Sequence, residues 1–228
     1  LVAGLLCMGR TGPATARSSP VEPGADLPAG ATVRFEHLTI EDGLSQNAGL
    51  ALLQDHTGYL WIGTQDGLNR YDGYSFKVYK HDPADPHSLS HNAILALHED
   101  RAGQLWVGTW GGGLDRFDPA TGQFTHFAPD PGQPDSLSHG IVTAILQDST
   151  GVLWVGTLGG LDRLKPDGSG FEHFRQAAAD PASLSADAVS TLFEDSRGTL
   201  WVGTGAYGLA GAGLNRFDRA TGTFTHYQ

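Results

Sequence analysis

A five-residue sequence, Leu-Trp-Val/Ile-Gly-Thr, occurs four times in this chain at nearly even spacing. Its tryptophans are Trp61, Trp106, Trp154 and Trp201, which are 45, 48 and 47 residues apart. An Asp-x-x-Gly precedes every copy, and a Gly-Leu-Asn/Asp-Arg and an aromatic run follow it. A period of this size is typical of repeat architectures, in which each repeat is one supersecondary unit packed against its neighbours.

Each repeat divides into four short predicted strands. In the second repeat they are Ala93–Glu99, Gln104–Thr109, Gly113–Asp118 and Gln123–Phe127, and Gly- and Asp-bearing turns separate them. Such short strands joined by turns are antiparallel hairpins. Four strands in a period of forty-odd residues predict an all-β fold, the β-propeller, with four recognisable four-stranded antiparallel blades. The predicted repeats cover residues 48–80, 93–128, 141–175 and 188–228.

The repeated motif itself has a structural interpretation. Side chains alternate across a strand, so Trp106 and Gly108 share one face while Leu105 and Val107 share the other. A large ring beside a bare glycine allows adjacent sheets to interlock, and we therefore interpret these positions as packing between blades rather than as a stacking platform for a ligand. The structural positions are Trp61, Trp106, Trp154, Trp201, Gly63, Gly108, Gly156 and Gly203.

The composition excludes several function classes. The chain has 228 residues, a formal net charge of −11 and a pI near 5.2, which argue against nucleic acid or an anionic membrane as its main partner. Most of the ten histidines fall in predicted outer strands or linkers, and no H-E-x-x-H or G-x-S-x-G motif occurs. We expect no metal, no cofactor and no catalytic residue in this chain.

The N-terminal residues look like targeting and linker sequence. Leu1–Gly9 is apolar and small residues follow it, which predicts the remnant of a signal peptide over 1–16; a frayed apolar tail is the alternative. Leu6 precedes the single cysteine, Cys7, and it is not the small residue that lipidation requires. Residues 17–32 are rich in Pro, Gly and Ala and are expected to form a linker, with the blades following from 33 to 228.

The repeats resemble those of a known family. Phe35–Asn47 resembles the usual entry into the first blade of the two-component regulator propellers, and Asp66–Asn92 fits the family repeat almost throughout. This family forms the periplasmic sensor region of hybrid histidine kinases and diguanylate cyclases. The resemblance implies a signal peptide, one or two propellers of about seven blades each, a β-sandwich domain, a transmembrane helix and a cytoplasmic output domain. No phosphoacceptor helix, ATP-binding motif or GGDEF-like motif is present, so no catalytic residue is carried over.

The strand count predicts an incomplete ring. Residues 33–40 align with the fourth strand of a repeat, although the fourth repeat already has its own fourth strand in Phe224–Tyr227. One N-terminal strand and four full blades make one strand more than a closed four-bladed ring can pair. We therefore expect a part of a larger propeller, with Trp201 and Leu200 exposed where the next sheet would pack.

The loops between the second and third strands are the most variable part of the repeat. They read Gln-Asp, Trp-Gly-Gly, Leu and a long glycine-rich segment, Gly205–Ala212. Function concentrates on loops that a rigid scaffold supports, although a tolerated insertion would look the same. The candidate ligand-binding residues are Gln65, Asp66, Trp110 and Tyr207.

Three functions fit these observations. The favoured one is the ligand-sensing periplasmic module of a membrane-bound signal-transduction receptor, whose full-length form is a sensor histidine kinase or diguanylate cyclase. Its expected partners are a small molecule or a glycan, the remaining blades, the output domain, and a second copy in a homodimer. The alternatives are a propeller lyase similar to the streptogramin-inactivating enzymes and a protein-interaction scaffold.

Overall fold

The computed structural model describes residues 36–205 and 213–227, and within these ranges sixteen strands form four separate four-stranded antiparallel sheets. Every sheet takes its strands in chain order, so that each connection inside a sheet is a hairpin. The strands are β1 (Gly49–Gln54), β2 (Leu60–Thr64), β3 (Gly67–Tyr71) and β4 (Phe76–Tyr79) in blade 1; β5 (Ile94–Glu99), β6 (Leu105–Thr109), β7 (Leu114–Asp118) and β8 (Gln123–Phe127) in blade 2; β9 (Val142–Gln147), β10 (Leu153–Thr157), β11 (Gly160–Leu164) and β12 (Phe171–Phe174) in blade 3; and β13 (Val189–Glu194), β14 (Leu200–Thr204), β15 (Gly213–Asp218) and β16 (Thr223–Tyr227) in blade 4. The predicted all-β propeller with four recognisable blades is confirmed.

The blades follow one another in space as they do in the chain. The strand β1 contacts β5, β5 contacts β9, and β9 contacts β13. The first strands therefore lie on the inner side of the array, and the fourth strands β4, β8, β12 and β16 lie on its outer side. None of the helices found in the described ranges is long and apolar enough to cross a bilayer.

The Asp-x-x-Gly turn closes each first hairpin and also holds the following tryptophan. Asp55 Oδ1 accepts the backbone N–H groups of Thr57 and Tyr59, which stabilises the turn. Its second oxygen accepts the indole N–H of Trp61. The same indole bond occurs in every blade, at 2.7 Å for Asp55–Trp61, 2.9 Å for Asp100–Trp106, 2.7 Å for Asp148–Trp154 and 3.0 Å for Asp195–Trp201. One carboxylate thus satisfies both the turn and the polar edge of a buried ring.

The hydrophobic core consists of clusters between neighbouring blades. Trp61 of blade 1 is buried with Leu105 and Val107 of blade 2. The equivalent clusters join Trp106 to blade 3 and Trp154 to blade 4. The two faces of each repeated strand therefore serve opposite interfaces, because the tryptophan packs on the next blade while the Leu and Val receive the tryptophan of the previous one.

The glycine of the motif is required by the close approach of the next blade. A Cβ on Gly108 would lie 2.7 Å from the Val142 side chain on β9. Gly63 and Gly156 face Ile94 and Val189 in the same way, each at 2.6 Å. No larger residue fits at these positions without moving the neighbouring blade.

The predicted N-terminal strand is wrong over its described part. Residues 33–35 lie outside the described residues, Glu36–Thr39 have no strand, and Ile40–Asp42 form a 3-10 helix. Thr39 caps this helix, because its hydroxyl accepts the N–H of Glu41 while the Asp42 carboxylate accepts the N–H of Thr39. These local hydrogen bonds satisfy the backbone in place of a strand partner.

The predicted exposure of Leu200 and Trp201 on the fourth blade is wrong for Leu200, while Trp201 is partly buried. Leu200 is fully buried, because it points toward blade 3 and packs with Trp154. The face of blade 4 that points away from blade 3 exposes 62% of Phe193, and the face of blade 1 that points away from blade 2 exposes 68% of Leu52. The residue equivalent to Leu52 in blade 2, Leu97, packs into the cluster between blades 1 and 2.

Candidate ligand site on the inner rim

The threonine that ends each repeated motif organises the loop that follows. Thr64 Oγ1 donates to the Gly67 carbonyl at 3.0 Å and accepts the N–H of Asp66 at 3.0 Å. Thr109 and Thr157 make the equivalent bonds in blades 2 and 3. These buried hydroxyls give three loops of different sequence a common base on the rim.

The blade 1 loop presents one candidate residue to the inner side and turns the other away. The backbone N–H of Gln65 donates to Gln46 Oε1 at 3.1 Å, which ties the loop to the segment before β1. Asp66 instead pairs with Lys80, with 2.7 Å between its Oδ2 and the ammonium nitrogen. The carboxylate of Asp66 is therefore neutralised by a residue of its own blade.

The blade 2 loop is anchored at both ends of its glycine run. Trp110 donates its backbone N–H to the Ala93 carbonyl at 2.9 Å and forms a β-bridge with Ile141. Gly111 donates to the Gly140 carbonyl at 2.9 Å, which connects the loop to the entry of blade 3. Trp110 as a residue remains 38% exposed even though its backbone is hydrogen-bonded.

The additional residue in the blade 2 loop disturbs one buried contact. In blades 1, 3 and 4 a linker serine bonds the threonine hydroxyl, as in Ser45–Thr64 at 2.8 Å. In blade 2 the glycine run occupies that space, because Gly112 packs directly against Ser90. Ser90 Oγ is the one buried side-chain polar atom without a hydrogen-bond partner in the described part of the chain.

Two of the four predicted ligand-binding residues meet at one cavity. Gln65 and Trp110 line a cavity of about 440 Å³ with Leu50, Ala93 and Leu95. Its volume lies in the range of small-molecule sites, which is roughly 300–1,000 Å³. Asp66 does not line the cavity, and Tyr207 lies outside the described residues.

Sequence reasoning missed Leu50 and Leu95 because a β-bulge places them. The pairing of β1 with β2 shifts between Gly49 and Ala51, and that of β5 with β6 shifts between Ile94 and Ala96. Each bulge leaves one leucine unpaired and turns its side chain toward the inner rim. The sequence gives no local signal for this shift, since both residues look like ordinary members of an apolar strand.

A second electrostatic feature lies on the outer strands, away from the rim. His126 on β8 places Nδ1 2.7 Å from the buried Asp115 carboxylate and Nε2 3.0 Å from the Pro86 carbonyl. The carboxylate and the carbonyl both accept hydrogen bonds, so this geometry favours an imidazole that carries a proton on each ring nitrogen. The hydrogen bond to Asp115 raises the pKa of His126 above its ordinary value.

Blade 3 repeats this pair. His173 contacts Asp162 at 2.6 Å and the Pro134 carbonyl at 2.9 Å. Burial raises the pKa of Asp162, so this carboxyl retains its own proton to a higher pH than an exposed carboxyl would. In both blades the histidine ties the linker from the preceding blade to the outer strand.

The pKa values of the turn aspartates Asp148 and Asp195 are lowered rather than raised. Burial of Asp148 favours the neutral acid, but hydrogen bonds from Thr150, Trp154 and Arg219 outweigh it and hold the pKa of Asp148 far below its ordinary value. The Trp201 indole is the main group that lowers the pKa of Asp195, to about 2. These two carboxylates therefore serve as hydrogen-bond acceptors that stabilise the turns. In the described ranges no three His, Cys, Asp or Glu residues are grouped so as to hold a metal ion.

Solved structures with this fold include two extracellular domains of hybrid two-component systems from B. thetaiotaomicron. One is 26% identical with a TM-score of 0.63, covering 83% of this chain and 31% of that chain. The second is 25% identical with a TM-score of 0.67, covering 86% and 27%. Virginiamycin B lyase from Staphylococcus aureus matches at 16% identity and a TM-score of 0.55, over 78% of this chain and 54% of that chain, which shows the fold alone.

The sequence also matches a histidine kinase and a family of repeats. Histidine kinase P4 of Formosa agariphila is 47% identical over 55 residues, which are 24% of this chain and 4% of that protein. The chain thus spans less than a third of the two-component relatives that it matches. The two-component regulator propeller model matches residues 43–66, 88–111, 136–159 and 183–206, once in each blade. Four stretches of this chain, one in each blade, therefore match the two-component regulator propeller repeat.

Proposed function

We propose that this chain is the ligand-sensing propeller of a membrane-bound signal-transduction receptor and that it works on the extracytoplasmic side. The two solved extracellular domains of hybrid two-component systems and the match to a histidine kinase support this role. The full-length protein would then be a sensor histidine kinase or a diguanylate cyclase, and this chain would contribute binding and no chemistry.

The observation that carries the sensory proposal is the cavity shared by two blades. Gln65 belongs to blade 1 and Trp110 to blade 2, and both line the same cavity of about 440 Å³. A ligand in this cavity contacts both blades at once, so its binding energy depends on their relative position. Such differential contact is what a sensor needs in order to convert occupancy into a change of conformation.

A screen by thermal unfolding tests the sensory role. The compounds are small molecules and oligosaccharides, and the proteins are the unaltered chain, Trp110→Ala and Leu158→Ala. Leu158 is a matched control, because it holds the equivalent place in blade 3, where its N–H donates to the Ile141 carbonyl. We expect a ligand that raises the Tm of the unaltered chain and of Leu158→Ala but not that of Trp110→Ala. Ligands that stabilise all three proteins equally would contradict a site at this cavity.

The proposed location has its own test. An alkaline phosphatase fused after Gln228 is active only when the chain is exported. We expect activity when the fusion carries the complete natural N-terminal region. Strong cytoplasmic expression without phosphatase activity would contradict the periplasmic assignment.

The two alternatives have less support. The likeness to virginiamycin B lyase shows the propeller fold and nothing about activity. A lyase would need histidine and acidic groups together at the inner side, whereas the pairs His126–Asp115 and His173–Asp162 join the third and fourth strands of their blades. A protein-interaction scaffold is the second alternative. It predicts that a partner protein, rather than a small compound, binds at the rim.

A further inference from the structure

The inner rim of the array has an apolar half and a polar half. One residue of each first strand is left unpaired by a bulge, and these residues are Leu50, Leu95, Thr143 and Ser190. They occupy equivalent places in blades 1 to 4. Leucine therefore stands in the first two blades where a hydroxyl residue stands in the last two.

The two hydroxyl residues already use their polar groups within the protein. Thr143 Oγ1 lies 3.0 Å from the Gly156 carbonyl and 2.7 Å from the Val189 carbonyl. Ser190 Oγ lies 3.2 Å from the Gly203 carbonyl. In blades 3 and 4 the hydroxyl at this position is thus within hydrogen-bonding distance of backbone carbonyls of the protein. In blades 1 and 2 Leu50 and Leu95 instead line the cavity beside Trp110.

The lining of the cavity carries no ionisable side chain among the described residues. The described lining residues are Leu50, Ala93, Leu95, Trp110 and Gln65, and among these Gln65 supplies the one polar side chain. The nearest carboxylate along the chain, that of Asp66, is paired with Lys80. Against these described residues a charged ligand would lose hydration without gaining a counter-ion, and a polyol would bury more hydroxyls than one amide can bind.

We propose that the cavity binds a small, uncharged ligand with a flat apolar face, aromatic or alicyclic, and one group that hydrogen-bonds to Gln65. The flat face lies against Trp110 and the two bulged leucines, and burial of this face is the main source of affinity. This proposal rests on the proposed sensory role of the same cavity and narrows its ligand class.

Four compounds separate the candidate chemistries. Benzyl alcohol, benzoate and benzylamine share one phenyl ring and carry a neutral, an anionic and a cationic substituent, and maltose represents a glycan. Each is titrated into the full chain labelled with ¹⁵N at its tryptophans, and the indole signal of Trp110 is assigned from its loss in Trp110→Phe. We expect benzyl alcohol to move this signal with a Kd at least roughly tenfold lower than that of either charged analogue, and maltose to leave it unchanged.

Substitutions taken from the chain itself provide the control. Leu95→Thr installs the residue of blade 3, and we expect it to weaken benzyl alcohol binding by roughly fivefold or more. Thr143→Ser installs the residue of blade 4 at the polar half of the rim and should leave binding unchanged. Equal binding by Leu95→Thr and the unaltered chain would overturn the proposal.

Other outcomes distinguish the ligand class from the sensory role. A Trp110 signal that responds to maltose or benzoate more strongly than to benzyl alcohol overturns the uncharged apolar class but supports a ligand site at this cavity. A signal that responds to none of the four compounds also overturns the class, and the thermal screen with Trp110→Ala then decides the sensory role separately.

Discussion

At the scale of single residues, the four repeated tryptophans have the same sequence context but different burial. Trp61, Trp106 and Trp154 are each packed against a following blade, while Trp201 is only partly buried at the end of the described array. All four make the same hydrogen bond to a turn aspartate. Comparison of these positions therefore separates the contribution of burial from that of the indole bond.

We predict that Trp106→Ala destabilises the chain by about 3–5 kcal/mol, because the lost ring leaves a cavity between blades 2 and 3. Trp201→Ala is the matched control, since it removes the same hydrogen bond from a less buried ring, and it should cost distinctly less. Urea unfolding of both variants measures the difference. Equal losses would show that the indole bond, and not the packing between blades, dominates.

We predict that the His126–Asp115 pair makes stability depend on pH. A pKa of His126 raised above its ordinary 6.5 means that the folded chain binds this proton more tightly than the unfolded chain. The resulting stability is fully present below pH 6.5 and is lost as the pH rises from 6.5 through the raised pKa. His126→Gln should remove this part of the decline, seen as a flatter dependence of the unfolding free energy on pH.

His226→Gln is the control for this titration. His226 also lies on the outer strand of its blade, but the residue opposite it is Asn215, which carries no charge. The unfolding free energy of this variant should fall with rising pH as it does in the unaltered chain. An NMR titration that places the pKa of folded His126 at or below 6.5 would contradict the predicted direction.

At the scale of elements, the blade 2 rim loop depends on an element that follows it in the chain. Gly111 and Gly113 both donate to the Gly140 carbonyl, each at 2.9 Å, so the entry to blade 3 holds the loop that carries Trp110. A Cβ on Gly140 would lie 2.7 Å from the Gly111 carbonyl oxygen. The position of the loop is therefore set by a glycine outside it.

We predict that Gly140→Ala displaces the Trp110 loop and weakens any ligand bound in the cavity, with a smaller effect on global stability than Trp106→Ala. The indole signal of Trp110 should shift, and those of Trp61 and Trp154 should not. Gly132→Ala in the same linker is the control, because its added Cβ would meet only the flexible Asp130 side chain at 3.3 Å. An unchanged Trp110 signal in Gly140→Ala would contradict this coupling.

At the scale of the whole molecule, the array ends in two apolar faces. Leu52 is exposed on blade 1 and Phe193 on blade 4, at positions whose equivalents pack between blades elsewhere. Exposed apolar faces of repeat arrays promote association unless other units cover them. That further blades of a larger propeller cover these faces remains a prediction.

We predict that the isolated chain self-associates through these faces and that Leu52→Lys combined with Phe193→Lys reduces the association. Light scattering at equal concentrations measures the effect. Tyr74→Lys is the control, because Tyr74 is 95% exposed in the turn before β4 and lies on neither face. A monodisperse, cooperatively unfolding monomer from the unaltered chain would contradict the prediction.

The repeat period, the hairpin turns and the alternation around Trp106 and Gly108 were sufficient to predict the blades, because these are local patterns that determine which side chains share a face. The loop residues Gln65 and Trp110 were identifiable as candidates because they depart from a repeated background. Their meeting at one cavity, the bulges that turn Leu50 and Leu95 inward, and the pairing of His126 with Asp115 were decided only by the tertiary structure. Each of these depends on a strand register or on contacts between blades, and neither is encoded by the residues of a single segment.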